Sequence, residues 1–270
     1  MAISLFSSNL TKLENESFHD FTERLIDEIQ QIPSDNLISV FPEYCWGNSS
    51  IDEILLFMDN VKDEEANGKA ILFGSAPFAI KSGDKTNNGI LLHDNSSIHY
   101  FPKSHLTAEE TRRHQLVGGT GSHQTKIGGI KIGILICADL WDAGLVKNLI
   151  IKNKIQILAV PAFTVVPIGF AQYARYQWFS LCLTRSREFV LPIVVADHSY
   201  STPNNKFSVG GITNIIDPSI KHKNIKTMED FFTLPLGTSV SSIVNLEKVA
   251  KYRIYRSENR MYHATSKTIV

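Results

Sequence analysis

The chain alternates short apolar runs with segments whose apolar residues recur every three or four positions. In SFHDFTERLIDEIQQ, residues 17–31, Phe18, Phe21, Leu25, Ile26 and Ile29 fall on one helical stripe, and Pro33 stops the helix. NLISVFPE, 36–43, reads as a short strand. The segment SSIDEILLFMDNVKDEEANG opens with Ser50 and Glu53 at capping-box spacing and closes on Asn67-Gly68, which predicts a second helix. Strands are expected at 70–78, 88–93, 98–101, 130–137, 155–163, 192–197, 207–216 and 241–246. Helices are expected at 143–153 and 170–188. Apolar strands interleaved with helices predict an α/β fold with covered sheets. The excess of strands in the last third favours two stacked sheets with helices outside them.

Composition sharpens this only a little. Apolar residues make up 43% of the 270 positions and charged residues 20%, which suits a globular chain with a sizeable core. No linker or repeat divides it, so a single domain over 1–270 is expected. Lys plus Arg and Asp plus Glu stand at 27 each, which gives no hint of a nucleic-acid or membrane-surface partner. The opening MAISLFSSNLTKLENESFHD does not read as a signal peptide, and no apolar run reaches the ~18 residues of a membrane span. Cys45, Cys137 and Cys182 form neither a disulfide framework nor a zinc pattern, which fits a reducing cytoplasm.

Three reactive side chains sit where apolar runs end: Glu43 after ISVFP, Lys103 after IHYFP and Cys137 after IGILI. Ligands of α/β sheets gather at such strand ends. A cysteine, a carboxylate and a lysine can together hydrolyse an amide. The carboxylate takes the thiol proton as sulfur attacks the carbonyl carbon, and the ammonium with a neighbouring backbone N–H stabilises the oxyanion. Taken singly, each residue has a plainer reading: Cys137 as a small buried hydrophobe, Glu43 and Lys103 as solvated turn residues.

The three together resemble the Glu-Lys-Cys triad of the nitrilase superfamily of carbon–nitrogen hydrolases, its amidase-like branches in particular. VFPEYCWG is similar to the family's Pro-Glu element and offers Glu43 as general base. NNGILLHDNSSIHYFPKSHLTAEE resembles the lysine element and offers Lys103, and GGIKIGILICADLWD resembles the nucleophile element and offers Cys137, with Ala138 as the oxyanion N–H. ILAVPAF, RSREFVLPIVVAD, GGITNIIDPS and SSIVNLEKVAKYR follow in family order. The resemblance implies a four-layer α-β-β-α sandwich that pairs into a homodimer or higher homo-oligomer. It also implies a thioester intermediate, no cofactor and no metal. The substrate it implies is a small-molecule amide or carbamoyl compound.

Three features depart from the family pattern, one of them Phe189 in place of the family's Asn after Glu188. A second glutamate often follows the lysine, and here Glu109 and Glu110 both stand near the right place, with Glu110 preferred. Ala138 replaces the Trp that follows the nucleophile in nitrile hydrolases, which favours amide chemistry. Tyr44 and Trp141 are candidate pocket residues, although aromatics in such places also serve as core. Asp139 reads more simply as an anchor of the turn than as a catalytic group. An N-carbamoyl amine hydrolase with the same triad remains an alternative, as does a non-catalytic member of the fold. A nucleotide-binding protein would have to use VGGTGSH, 117–123, which lacks the required glycine spacing.

Overall fold

The computed structural model describes residues 1–61, 69–79, 83–93, 97–120, 123–199, 207–220 and 238–258. Six strands form a first sheet: β1 (Ala2–Ser7), β2 (Asn36–Val40), β3 (Ile71–Ala79), β4 (Lys85–His93), β5 (Ser97–Pro102) and β13 (Val240–Asn245). Their spatial order is β13-β1-β2-β3-β4-β5. The central strands β1, β2 and β3 run parallel, and antiparallel strands extend both edges. A second sheet holds β6 (His123–Ile127), β7 (Ile130–Ile134), β8 (Ile157–Pro161), β10 (Ile193–Ala196) and β12 (Asn214–Ile216), ordered β12-β10-β8-β7-β6. A small ribbon pairs β9 (Val165–Val166) with β11 (Ser208–Val209).

The alternation of side chains across each strand explains the layering. Leu5, Ile38, Val40, Leu72 and Leu91 of the first sheet meet Ile132, Ile134, Ile157, Ala159, Val194 and Ala196 of the second in one buried layer. The opposite faces carry Phe6, Ile71, Phe73, Ile90 and Leu92 on one sheet, and Leu158, Val160, Ile193 and Val195 on the other. Helices α1 (Phe18–Gln31) and α2 (Ile51–Val61) cover the first set. Helices α4 (Ala143–Ile151) and α5 (Ala171–Phe189) cover the second. The result is the α-β-β-α sandwich. Ser7 Oγ crosses between the sheets to donate to Val195 O at 2.6 Å.

Local signals start the helices where the sequence places them. Ser17 Oγ accepts from the Asp20 N–H and caps α1. Ser50 and Glu53 close a reciprocal capping box ahead of α2. The expected end of that helix at Asn67-Gly68 lies outside the described residues.

The structure corrects several boundaries. The strand expected over 130–137 stops at Ile134, and a 3₁₀ turn occupies Cys137–Trp141. The strand expected over 36–43 stops at Val40. The stretch 207–216 is two strands, β11 and β12, rather than one. Gly210 presses against Thr164, whose Oγ1 would lie 2.7 Å from a Cβ there, and Gly211 takes φ +62°. The chain therefore turns between the two strands. The pattern also missed β1, β6, the short helix α3 (Ala108–Arg112) and the last helix α6 (Leu246–Glu258).

Candidate active site

Glu43 is placed by a close backbone crossing. Beyond β2, its backbone bridges Ser75 of β3, and its N–H donates to Ala162 O, just past β8 of the other sheet, at 3.2 Å. Tyr44 then adopts φ +56° and donates its N–H to Ser75 O. Gly74 permits this approach: a Cβ at that position would lie 1.8 Å from Pro42 O.

Lys103 is the first residue past β5. Its N–H donates to Asn87 O of β4 at 2.8 Å, and its carbonyl accepts from Gly119 N at 2.7 Å. Cys137 opens the 3₁₀ turn with φ +45°, a conformation that costs of order 1–3 kcal/mol outside glycine and that clusters at functional sites. Ala138 follows in the first turn, where the helix itself offers its N–H no acceptor.

These residues converge. Lys103 is 1% exposed, and its Nζ donates to Glu43 Oε1 at 2.7 Å and to both oxygens of Glu110 at 2.9 and 2.8 Å. Asn87 Nδ2 donates to Glu43 Oε1 at 2.9 Å and to Glu110 Oε1 at 3.0 Å. Tyr44 OH donates to Glu110 Oε1 at 2.7 Å. The Cys137 thiol donates to Phe163 O at 3.7 Å and lies near enough to the Glu43 carboxylate to feel its charge.

Asp139 ties the two loops together. Its carboxylate accepts the N–H groups of Ser104 (3.0 Å) and His105 (2.6 Å) from the lysine side, and that of Ile136 (3.2 Å) from the cysteine side. A further wall comes from beyond β8 and β10. His198 Nε2 bonds Glu43 O at 2.7 Å, and its ring stacks on Phe163 with centroids 4.1 Å apart. Buried Asp197 holds this wall by accepting from Thr164 N, Thr164 Oγ1, His198 N and Ile212 N.

The electrostatics separate the two carboxylates. Burial pushes the Glu43 carboxyl above the usual range, despite the opposing charge of Lys103. Burial acts the same way on Glu110, but Lys103, the Thr107 N–H and Tyr44 outweigh it and hold that group low. Lys103 is held charged: burial opposes the ammonium, and Glu43, Cys137 and Glu110 more than offset that. Burial and the Glu43 charge push the Cys137 thiol well up, so the resting sulfur keeps its proton. Burial lowers His198 to about 4. The imidazole is therefore neutral near pH 7, and its Nε2–H is the donor to Glu43 O.

Of the residues singled out in the sequence, Glu43, Lys103, Cys137 and Glu110 meet at one point. Glu109 is exposed and pairs with Arg113 at 2.8 Å. A capping box distinguishes the two glutamates: Thr107 Oγ1 accepts from Glu110 N, and Glu110 Oε2 accepts from Thr107 N. The spacing Thr-Ala-Glu-Glu carried that signal. Tyr44 reaches the cluster through its hydroxyl. Trp141 is 44% exposed and sits edge-on to Trp178. Asn87, His198 and Asp197 were missed by sequence reasoning. The paired asparagines Asn87-Asn88 inside an apolar strand were a signal for the first; the other two sit in a strand end that reads as ordinary core. Among the described residues, no group of three His, Cys, Asp or Glu side chains is placed to hold a metal ion, and no helix is long and apolar enough to cross a membrane.

No family model matches the sequence, and no curated protein matches it. Solved structures do. A CN-hydrolase superfamily protein from Xanthomonas campestris, with an arsenic adduct in its active site, matches at TM-score 0.72 and 15% identity, over 98% of this chain and 97% of that one. Nit3 of Saccharomyces cerevisiae, a member of branch 10 of the nitrilase superfamily, matches at TM-score 0.73 and 14% identity over 94% of each chain. An amidase from Nesterenkonia sp. matches at TM-score 0.68 and 15% identity over 96% of each. At such identities the likeness is one of fold: the chain has the fold of the nitrilase superfamily of carbon–nitrogen hydrolases.

Proposed function

We propose that the chain hydrolyses the C–N bond of a small amide, with Cys137 as nucleophile, Glu43 as general base and acid, and Lys103 as the fixed positive charge. The observation that carries this reading is the buried ammonium of Lys103 held between Glu43 and Glu110, with the Cys137 thiol on a strained turn beside Glu43. A lysine and two glutamates in the interior are a poor stability device. They are a suitable one for moving a proton where charge develops.

In this mechanism the thiol gives its proton to Glu43 as Sγ attacks the substrate carbonyl carbon. The raised affinity of Glu43 for a proton suits it to accept one as the sulfur attacks. Lys103 and the Ala138 N–H stabilise the tetrahedral oxyanion. Glu43 hands its proton to the departing nitrogen as the C–N bond breaks, leaving a thioester on Cys137. Glu43 then takes a proton from water, whose oxygen attacks the thioester. The acid departs, and the proton returns to sulfur. Glu110 is ionised throughout and anchors Lys103. The amidase among the structural relatives supports this reaction class.

The reading predicts ammonia release from one or more small primary amides or N-carbamoyl amines. Cys137→Ala and Glu43→Gln should each lower kcat at least ~1,000-fold, about 4 kcal/mol, with the melting temperature changed by only a few degrees. A Glu43→Gln variant that keeps wild-type turnover would place the base elsewhere.

A further inference from the structure

Asn87 is fully buried on β4 and faces the catalytic carboxylates. Its position follows from strand register: Asn88 pairs with Pro102, and the Lys103 N–H donates to Asn87 O. Opposed residues of an antiparallel pair project to the same face. The amide of Asn87 and the ammonium of Lys103 thus arrive side by side. Each donates to Glu43 Oε1 and to Glu110 Oε1, so two donors and two acceptors close a four-membered ring.

The amide orientation is dictated by charge. Turned over, its oxygen would face two carboxylates, so the NH₂ end points at them. The opposite end, Oδ1, is buried with no hydrogen-bond partner among the described residues. An apolar side chain of the same shape would leave no such orphan. Packing alone therefore does not account for an amide here, whereas donation to the carboxylates does.

We infer that Asn87 is a positioning residue that keeps Glu43 ionised and fixes Oε1, leaving the second oxygen of that carboxylate to exchange protons with the thiol. This rests on the reading of Glu43 as the base. Glu110 receives Lys103, Asn87, Tyr44 and the Thr107 N–H, and does not depend on any one of them. On Glu43 Oε1, Asn87 is the neutral partner of Lys103, and a hydrogen bond to the charged form favours ionisation. The other titratable groups facing Glu43 are Lys103, Glu110, Tyr44 and Cys137, with the neutral His198 ring on its carbonyl.

The test is a titration of the Glu43 carboxyl by carbon-13 NMR in protein labelled at the glutamate side-chain carboxyl. Glu43→Gln and Glu110→Gln assign the two resonances. Asn87→Leu should move the Glu43 midpoint upward by at least half a pH unit and leave the Glu110 midpoint nearly in place. Asn87→Asp, which puts an acceptor where the donor was, should move Glu43 further in the same direction. A Glu43 midpoint unmoved in both folded variants overturns the inference, as does an equal shift of both carboxyls. Alkylation of Cys137 in the wild type is measured in parallel. If it is neither selective nor dependent on Glu43, the catalytic reading fails, while the titration still decides what Asn87 does to the carboxylate.

Discussion

Gly74 is the residue on which the placement of Glu43 turns. Its φ of +54° and the 1.8 Å that would separate a Cβ from Pro42 O leave no room for any side chain. Gly74→Ala is expected to destabilise the protein by more than ~2 kcal/mol, since both the backbone conformation and the crossing must yield. Thermal melting checks this, and an unchanged melting temperature would show that the crossing is soft. Residues of this kind divide by how their roles arise. Glu43, Lys103 and Cys137 were legible because each ends an apolar run, and Glu110 was legible in principle from its capping box with Thr107. Asn87 and His198 acquire their roles through pairing across 44 and 155 positions of chain, which local pattern cannot express.

Elements were legible where periodicity and caps agree. α1 has both its apolar stripe and Ser17, whose Oγ accepts from Asp20 N at 3.0 Å. Ser17→Ala should cost about 1 kcal/mol, read from urea denaturation midpoints, with turnover unchanged because α1 lies on the outer layer. A loss below the measurement error would mean that packing of Phe21, Leu25 and Ile29 alone sets the start of this helix. The strand β1 was missed although five of its six residues are buried, because AISLFS carries polar residues that face protein rather than water. Ser7, for example, bonds across to the second sheet. The split of 207–216 into β11 and β12 was hidden because a glycine pair within an apolar run fits a strand as well as a turn until Thr164 is in place.

At the scale of the whole molecule, the site exists only where the two sheets are stacked. Glu43 and Lys103 leave strands of one sheet, Cys137 and His198 leave strands of the other, and Asp139 ties the lysine loop to the cysteine turn. That assembly carries a pH signature. The folded state holds His198 neutral down to about 4, against 6.5 for an unperturbed imidazole. Below pH 6.5 the unfolded chain binds a proton that the folded chain refuses, so this stabilisation is complete above 6.5 and is lost as pH falls toward 4. Its full size is about 3 kcal/mol. Asp197 acts in the opposite sense. Burial, against its hydrogen bonds, lifts it to about 6, so its contribution is complete below 3.8 and is lost as pH rises through 6. His198→Gln keeps a donor for Glu43 O and leaves Asp197 in place. The variant should therefore lose less stability than the wild type between pH 6.5 and 4. Parallel curves in a melting series would contradict the assignment.

The most direct measurement of the central claim is the site of alkylation by limiting iodoacetamide near neutral pH, mapped by mass spectrometry over Cys45, Cys137 and Cys182. All three thiols are buried, and burial raises the pKa of each, so exposure alone gives no strong preference. Cys137 is the thiol that the proposed mechanism pairs with a base, the neighbouring Glu43 carboxylate. Cys137 is expected to be modified first, and Glu43→Gln to slow this at least tenfold. Preferential modification of Cys45 or Cys182, or a Cys137 rate indifferent to Glu43, would contradict it.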